Sequence, residues 1–129
     1  MESLPDSKIL AHLITFCLGL IVGYYGHYLA LKRDRRKEFN EISQPIREFL
    51  LNERINPSPH GTIGKVDADR LESVLHFWQR RAFRKSLNAY HQAKKDSLIQ
   101  DPIYGSYSLG KIDAIIMHIE HLLRYTIRR

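Results

Sequence analysis

The sequence predicts an all-α protein: one N-terminal transmembrane helix continues into a stalk, and a small helical domain of three to four helices follows. Three observations predict it. Residues 9–31 read ILAHLITFCLGLIVGYYGHYLAL, without one Asp, Glu, Lys or Arg. Downstream, apolar residues recur at helical spacing in separate stretches, and none alternates with polar residues as a half-buried strand would. Past residue 32, Pro and Gly fall between those stretches, with Pro45 as the exception.

The apolar stretch comes first. As a helix its 23 residues reach roughly 35 Å, enough to cross a hydrocarbon core of about 30 Å with some tilt. In a chain of 129 residues, no core is large enough to cover such a helix on every side. Glu2, Asp6 and a lone Lys8 precede it, whereas Lys32, Arg33, Arg35, Arg36 and Lys37 follow around a single Asp34. That charge order is the reverse of a cleaved signal peptide. By the positive-inside rule the C-terminal side stays in the cytoplasm and the short N-terminus is translocated. Tyr24, Tyr25 and Tyr28 gather at the positive end, where aromatic rings favour the headgroup boundary. The expected organisation is therefore a short extracytoplasmic N-terminus (1–8), a transmembrane helix (9–31), basic juxtamembrane and stalk helices (32–55) and a small helical cytoplasmic domain (56–129).

Within the span, Ala11, Thr15, Gly19, Gly23, Gly26 and Ala30 share one helix face, and Gly19 with Gly23 forms a GxxxG pair. Such a face lets a second helix approach closely, so close packing supplies the attraction that lipid removes. This makes a homo-oligomer an expected partner state. His12 and His27 lie too far apart on one helix to share a metal. The basic run Lys32, Arg33, Arg35, Arg36 and Lys37 works as a stop-transfer and topology signal, and it also suits lipid headgroups.

Composition narrows the partners. Nineteen of the 20 Lys and Arg, and 12 of the 14 Asp and Glu, lie from Lys32 onward, so the non-membrane part carries a formal charge of +7. Anionic lipid, acidic protein surfaces and nucleic acid all suit that balance. The only cysteine, Cys17, lies inside the span, which excludes an intrachain disulfide framework.

Phe39, Ile42, Ile46, Phe49 and Leu50 continue the helix as an amphipathic stalk. Pro45 should kink it or start a fresh helix, the second piece running to about Arg54, because proline lacks the amide donor that a helix interior requires. NPSPHGTIG, residues 56–64, reads as a loop. A helix is expected from about Asp67 to Trp78, carried by Leu71, Val74, Leu75 and Trp78. A second, residues 81–94, is carried by Phe83, Leu87 and Tyr90. The apolar phase shifts across residues 79–82, which places the break there. Residues 97–110 lack helical periodicity and read as a long loop. Residues 111–129 put Ile112, Ile115, Ile116, Ile119, Leu122 and Leu123 on one face and end on Arg128 and Arg129, cations suited to a helix C-terminus.

No catalytic constellation emerges, so neither an enzyme nor a cofactor is expected. Glycine-rich phosphate loops, nucleophile elbows, HExxH and CxxC motifs are all missing. His118 and His121 could share a helix edge, but zinc wants three or four protein ligands and this part of the chain has no cysteine. Arg80, Arg81, Arg84 and Lys85 next to Trp78 and Phe83 form a patch for an anionic partner. Basic and aromatic interleaving serves single-stranded nucleic acid binders; the same residues also serve as a solvated face over a core that owns the rings, which is the reading favoured here.

Three segments carry a resemblance: LALKRDRRKEFNEISQPIREFLL directly after the hydrophobic helix, LESVLHFWQRRAFRKSLNAYHQAK in the middle, and IEHLLRYTIRR at the end. Together, over most of residues 13–129, they resemble a group of small bacterial membrane-anchored proteins of unknown function. The resemblance implies an inner-membrane setting and a helical cytoplasmic domain, and brings no activity with it. The functional expectation is a membrane-anchored adaptor that presents a basic domain to a macromolecular partner, foremost a protein. The alternatives are a membrane-perturbing effector (toxin or phage-defence component) and a membrane-tethered nucleic acid binder.

Overall fold

The computed structural model describes residues 5–127; Arg128, Arg129 and residues 1–4 lie outside them. The protein is all-α. Its elements are helix α1 (Pro5–Ile55), α2 (Lys65–Val74), α3 (Phe77–Ser97), strands β1 (Leu98–Gln100) and β2 (Tyr107–Leu109), and α4 (Ile112–Leu123), which tightens into a 3-10 turn at Arg124–Thr126. Two compact units divide the chain, Met1–Lys37 and Glu38–Arg129.

Among the described residues the first unit is the leading part of α1. It is long and apolar enough to cross a membrane, and its apolar window is 0% buried. Exposed Leu, Ile, Val, Phe and Tyr side chains cover it on every side. In water such a surface is unfavourable by roughly 25 cal/mol for each Å² left wet.

Heptad-like spacing builds the second unit. Phe39, Ser43, Ile46, Leu50 and Glu53 are buried along α1, and Phe83, Leu87, Tyr90, Lys94 and Ser97 along α3. Steps of four and three residues keep each set on one helix face, the pattern that packs helices side by side. Ala68, Leu71 and Leu75 come in from the α2 region, Ile115, Ile119 and Leu122 from α4, and Ile63 from the loop before α2.

Four expectations are corrected. Pro45 neither ends α1 nor begins a new helix, since α1 runs unbroken through it. The residue is exposed, so the Glu41 carbonyl that loses its amide partner faces the solvent side. The break between α2 and α3 falls at Leu75 and His76, both extended, ahead of residues 79–82. Consequently Trp78 belongs to α3 and is exposed rather than in the core. Finally, the stretch expected as a long loop holds a hairpin over residues 98–109: β1 and β2 pair antiparallel, with Leu98 opposite Leu109, Ile99 opposite Ser108 and Gln100 opposite Tyr107.

Turn chemistry closes that hairpin. The Asp101 carboxylate accepts from the amides of Ile103 (2.8 Å) and Tyr104 (3.3 Å). Gly105 takes a φ of +62°, which only glycine adopts without strain. Its amide donates to the Asp101 carbonyl at 2.9 Å, and the Asp101 amide donates to the Ser106 carbonyl at 2.7 Å.

Candidate functional site

Three places gather the chemistry of this chain: the apolar segment of α1, the start of α3, and a buried polar cluster where α1 ends.

On the apolar segment, a Cβ added at Gly19, Gly23 or Gly26 would meet nothing within 4 Å. Their face is open for another helix. Thr15 satisfies its own hydroxyl by donating to the Ala11 carbonyl at 2.9 Å. Ala11, Ala30 and the basic run Lys32, Arg33, Arg35, Arg36 and Lys37 are all exposed.

At the start of α3 the four predicted basic residues divide into two pairs. Arg80 turns back on α2: its Nε donates to the Leu75 carbonyl (3.2 Å) and its Nη2 to the Ser73 carbonyl (3.1 Å). It thereby satisfies carbonyls that the end of α2 leaves without helical partners. Arg84 Nε is bound to Glu72 Oε2 at 2.7 Å. Arg81 and Lys85, by contrast, are exposed and have no ion pair among the described residues. Beside them stands an aromatic cluster. The His76 ring stacks on the Trp78 indole, centroids 4.4 Å apart and planes within 3°, while Phe77 meets the same indole edge-on at 5.0 Å. Phe77 is 79% exposed and Trp78 62%. The patch expected from sequence thus keeps two of its four cations free, retains Trp78, gains Phe77 and loses Phe83 to the core.

The buried polar cluster escaped the sequence reading. Glu53, 4% exposed, pairs through Oε1 with Lys94 Nζ, whose residue is 6% exposed. The same oxygen accepts the Ser58 amide at 2.9 Å, so the 56–64 loop folds back onto the pair. Lys94 Nζ also lies 5.5 Å from the Tyr90 ring centre. Tyr90 Oη is buried without a hydrogen-bond partner among the described residues, as is His91 Nε2. Burial first, and the charge of Glu53 second, push the Tyr90 phenol well above its ordinary 10.0. It stays a neutral hydroxyl near neutrality and cannot act as a base there. The one signal in the sequence is that Glu53 and Lys94 both fall on the apolar phase of their helices, where a charge needs a buried partner. Beside Glu53, an open cavity of about 310 Å³ is lined by Phe49, Asn52, Glu53, Ile55 and Asn56.

His118 is half-buried and His121 exposed on α4. Among the described residues no three of His, Cys, Asp and Glu are placed to hold a metal ion. The hairpin tip carries two strongly exposed large apolar side chains, Ile103 (79%) and Tyr104 (83%). Each strand of the hairpin has a single neighbour, leaving its outer edge unpaired. Comparison with known protein families, with curated proteins and with solved structures finds no match.

Proposed function

We propose that this chain is a single-pass membrane anchor of a bacterial inner membrane, N-terminus outside, whose basic helical domain docks a protein partner in the cytoplasm. One observation carries the reading. The apolar segment 9–31 is uncovered on all sides, while the core of the second unit is assembled entirely from residues 39 onward. Lipid is the solvent in which such a segment is stable, and the charge order across it favours a cytoplasmic C-terminal side. The hairpin is the preferred protein-docking element, because Ile99, Ile103, Tyr104 and Tyr107 are wet and both its edges are open. Self-association of the span through Ala11, Thr15, Gly19, Gly23, Gly26 and Ala30 is part of the same reading, supported by the open face at its glycines. Nucleic acid is less favoured as a partner, since Arg80 and Arg84 are occupied within the fold.

Expressed in bacteria, the full chain is expected to resist alkaline extraction from membranes, with a tag after Arg129 protected from protease in spheroplasts. Photo-crosslinking through positions 103 and 104 should give a discrete adduct that disappears in an Ile99→Asp, Tyr107→Asp variant of unchanged helicity. A chain that is soluble without detergent, or an external C-terminal tag, would refute the anchor. Growth arrest and depolarisation on expression, abolished by Gly19→Leu with Gly23→Leu, would assign the chain to membrane-perturbing effectors instead.

A further inference from the structure

We infer that the exposed face of α3 bearing Phe77, Trp78, Arg81 and Lys85 docks onto the anionic surface of the bilayer that holds residues 9–31, an inference that rests on the anchor reading above. Aromatic rings and cations share one side of the helix here. Arg81 and Lys85 follow Trp78 by three and seven residues and Phe77 by four and eight, spacings that align side chains on a single face. Both cations are exposed and without a carboxylate partner among the described residues. Arg80 and Arg84 border this face beside Phe77 but are tied into α2.

The rings are already arranged. Trp78 is held by the stack with His76 and the edge contact with Phe77, so seating it among headgroups freezes little rotamer freedom. Indole and phenyl groups partition to the headgroup boundary, and lysine and arginine beside them meet the negative potential of the cytoplasmic leaflet. A covalent link to the span holds the face at high effective concentration near that surface, so individually weak contacts suffice. A nucleic acid strand fits less well. Base stacking needs open ring faces, and His76 covers one face of the indole.

Trp78 is the only tryptophan in the chain, which makes its fluorescence a direct reporter. The full chain would be reconstituted into nanodiscs of pure phosphatidylcholine and into others containing phosphatidylglycerol. In the anionic discs, Trp78 emission should move to shorter wavelength, resist acrylamide and be quenched by lipids brominated high on the acyl chain. Arg81→Gln and Lys85→Gln should each lower the docked-to-free ratio roughly five-fold at low salt. Helicity should not change, because both side chains are exposed. Acrylamide-accessible Trp78 in both disc types, with the span incorporated, would overturn the inference and leave the anchor standing. Quenching by a single-stranded oligonucleotide but not by brominated lipid would overturn it in favour of nucleic acid. Failure of the chain to enter discs at all would remove the anchor and this inference together.

Discussion

Glu53 and Lys94 show how a buried charge is tolerated, and why neither can be lost alone. Truncating one partner strands the other inside the protein, at a cost of about 3–5 kcal/mol. Glu53→Ala is therefore expected to lower the thermal midpoint sharply, followed by near-UV circular dichroism of the full chain in detergent. The double variant Glu53→Leu with Lys94→Met should recover most of the loss, because it removes both charges and keeps the volume. Tyr90 makes the opposite case. Its hydroxyl is buried without a partner, so Tyr90→Phe removes a desolvation penalty and should leave neutral-pH stability unchanged or raise it by up to about 1–3 kcal/mol. Alkali distinguishes the two proteins further. An unfolded chain ionises this phenol near 10.0, whereas the folded protein resists ionisation to higher pH. The unfolded state alone then gains from losing the proton. Stability linked to Tyr90 is thus complete below about pH 10 and declines as pH rises beyond it. Wild type should lose more stability than Tyr90→Phe across that window; equal losses would show that the phenol titrates freely in the fold.

Among the elements, the junction of α2 with α3 is decided by a contact the local sequence does not announce. No glycine or proline marks Leu75 and His76; the helix stops there because Leu75 drops into the core and Arg80 returns to the carbonyls of Ser73 and Leu75. Arg80→Ala should therefore destabilise the protein by roughly 1 kcal/mol, while Arg81→Ala next to it should change stability by less than half as much. Equal effects in thermal melts would contradict the capping role. The apolar phase shift was legible, but residues 79–82 only mark where the new phase becomes visible, a few positions after the turn that causes it. In the hairpin, Asp101, Pro102 and Gly105 are turn formers at useful spacing, yet strands of three residues are too short for alternation to register. Pro45 went the other way: a proline on the solvent side of a helix held by core contacts at Ile42, Ile46 and Leu50 is carried through, because packing outweighs one lost hydrogen bond.

At the scale of the molecule, the apolar segment and the packed unit meet different demands, and a substitution in one should spare the other. Leu20 sits at the middle of residues 9–31. In the proposed anchor, arginine there costs about 2.5–3.5 kcal/mol of insertion free energy, so Leu20→Arg should shift the chain from the carbonate-resistant fraction toward the soluble one. The tertiary circular dichroism of the helical unit should persist, since no described residue before Phe39 belongs to its core. Loss of that signal in step with membrane release would mean that the unit depends on the span for its fold.

Periodicity and hydropathy were enough to specify the all-α class, the apolar helix, the 56–64 loop and the core faces of α3 and α4, because each depends on residues only a turn or two apart. Glu53 with Lys94, the folding of Ser58 onto that pair and the division of the four cations into tied and free depend on segments up to 41 residues apart. The tertiary structure alone decided these, since burial and partnership are properties of neighbours in space, and a one-dimensional pattern carries no record of them.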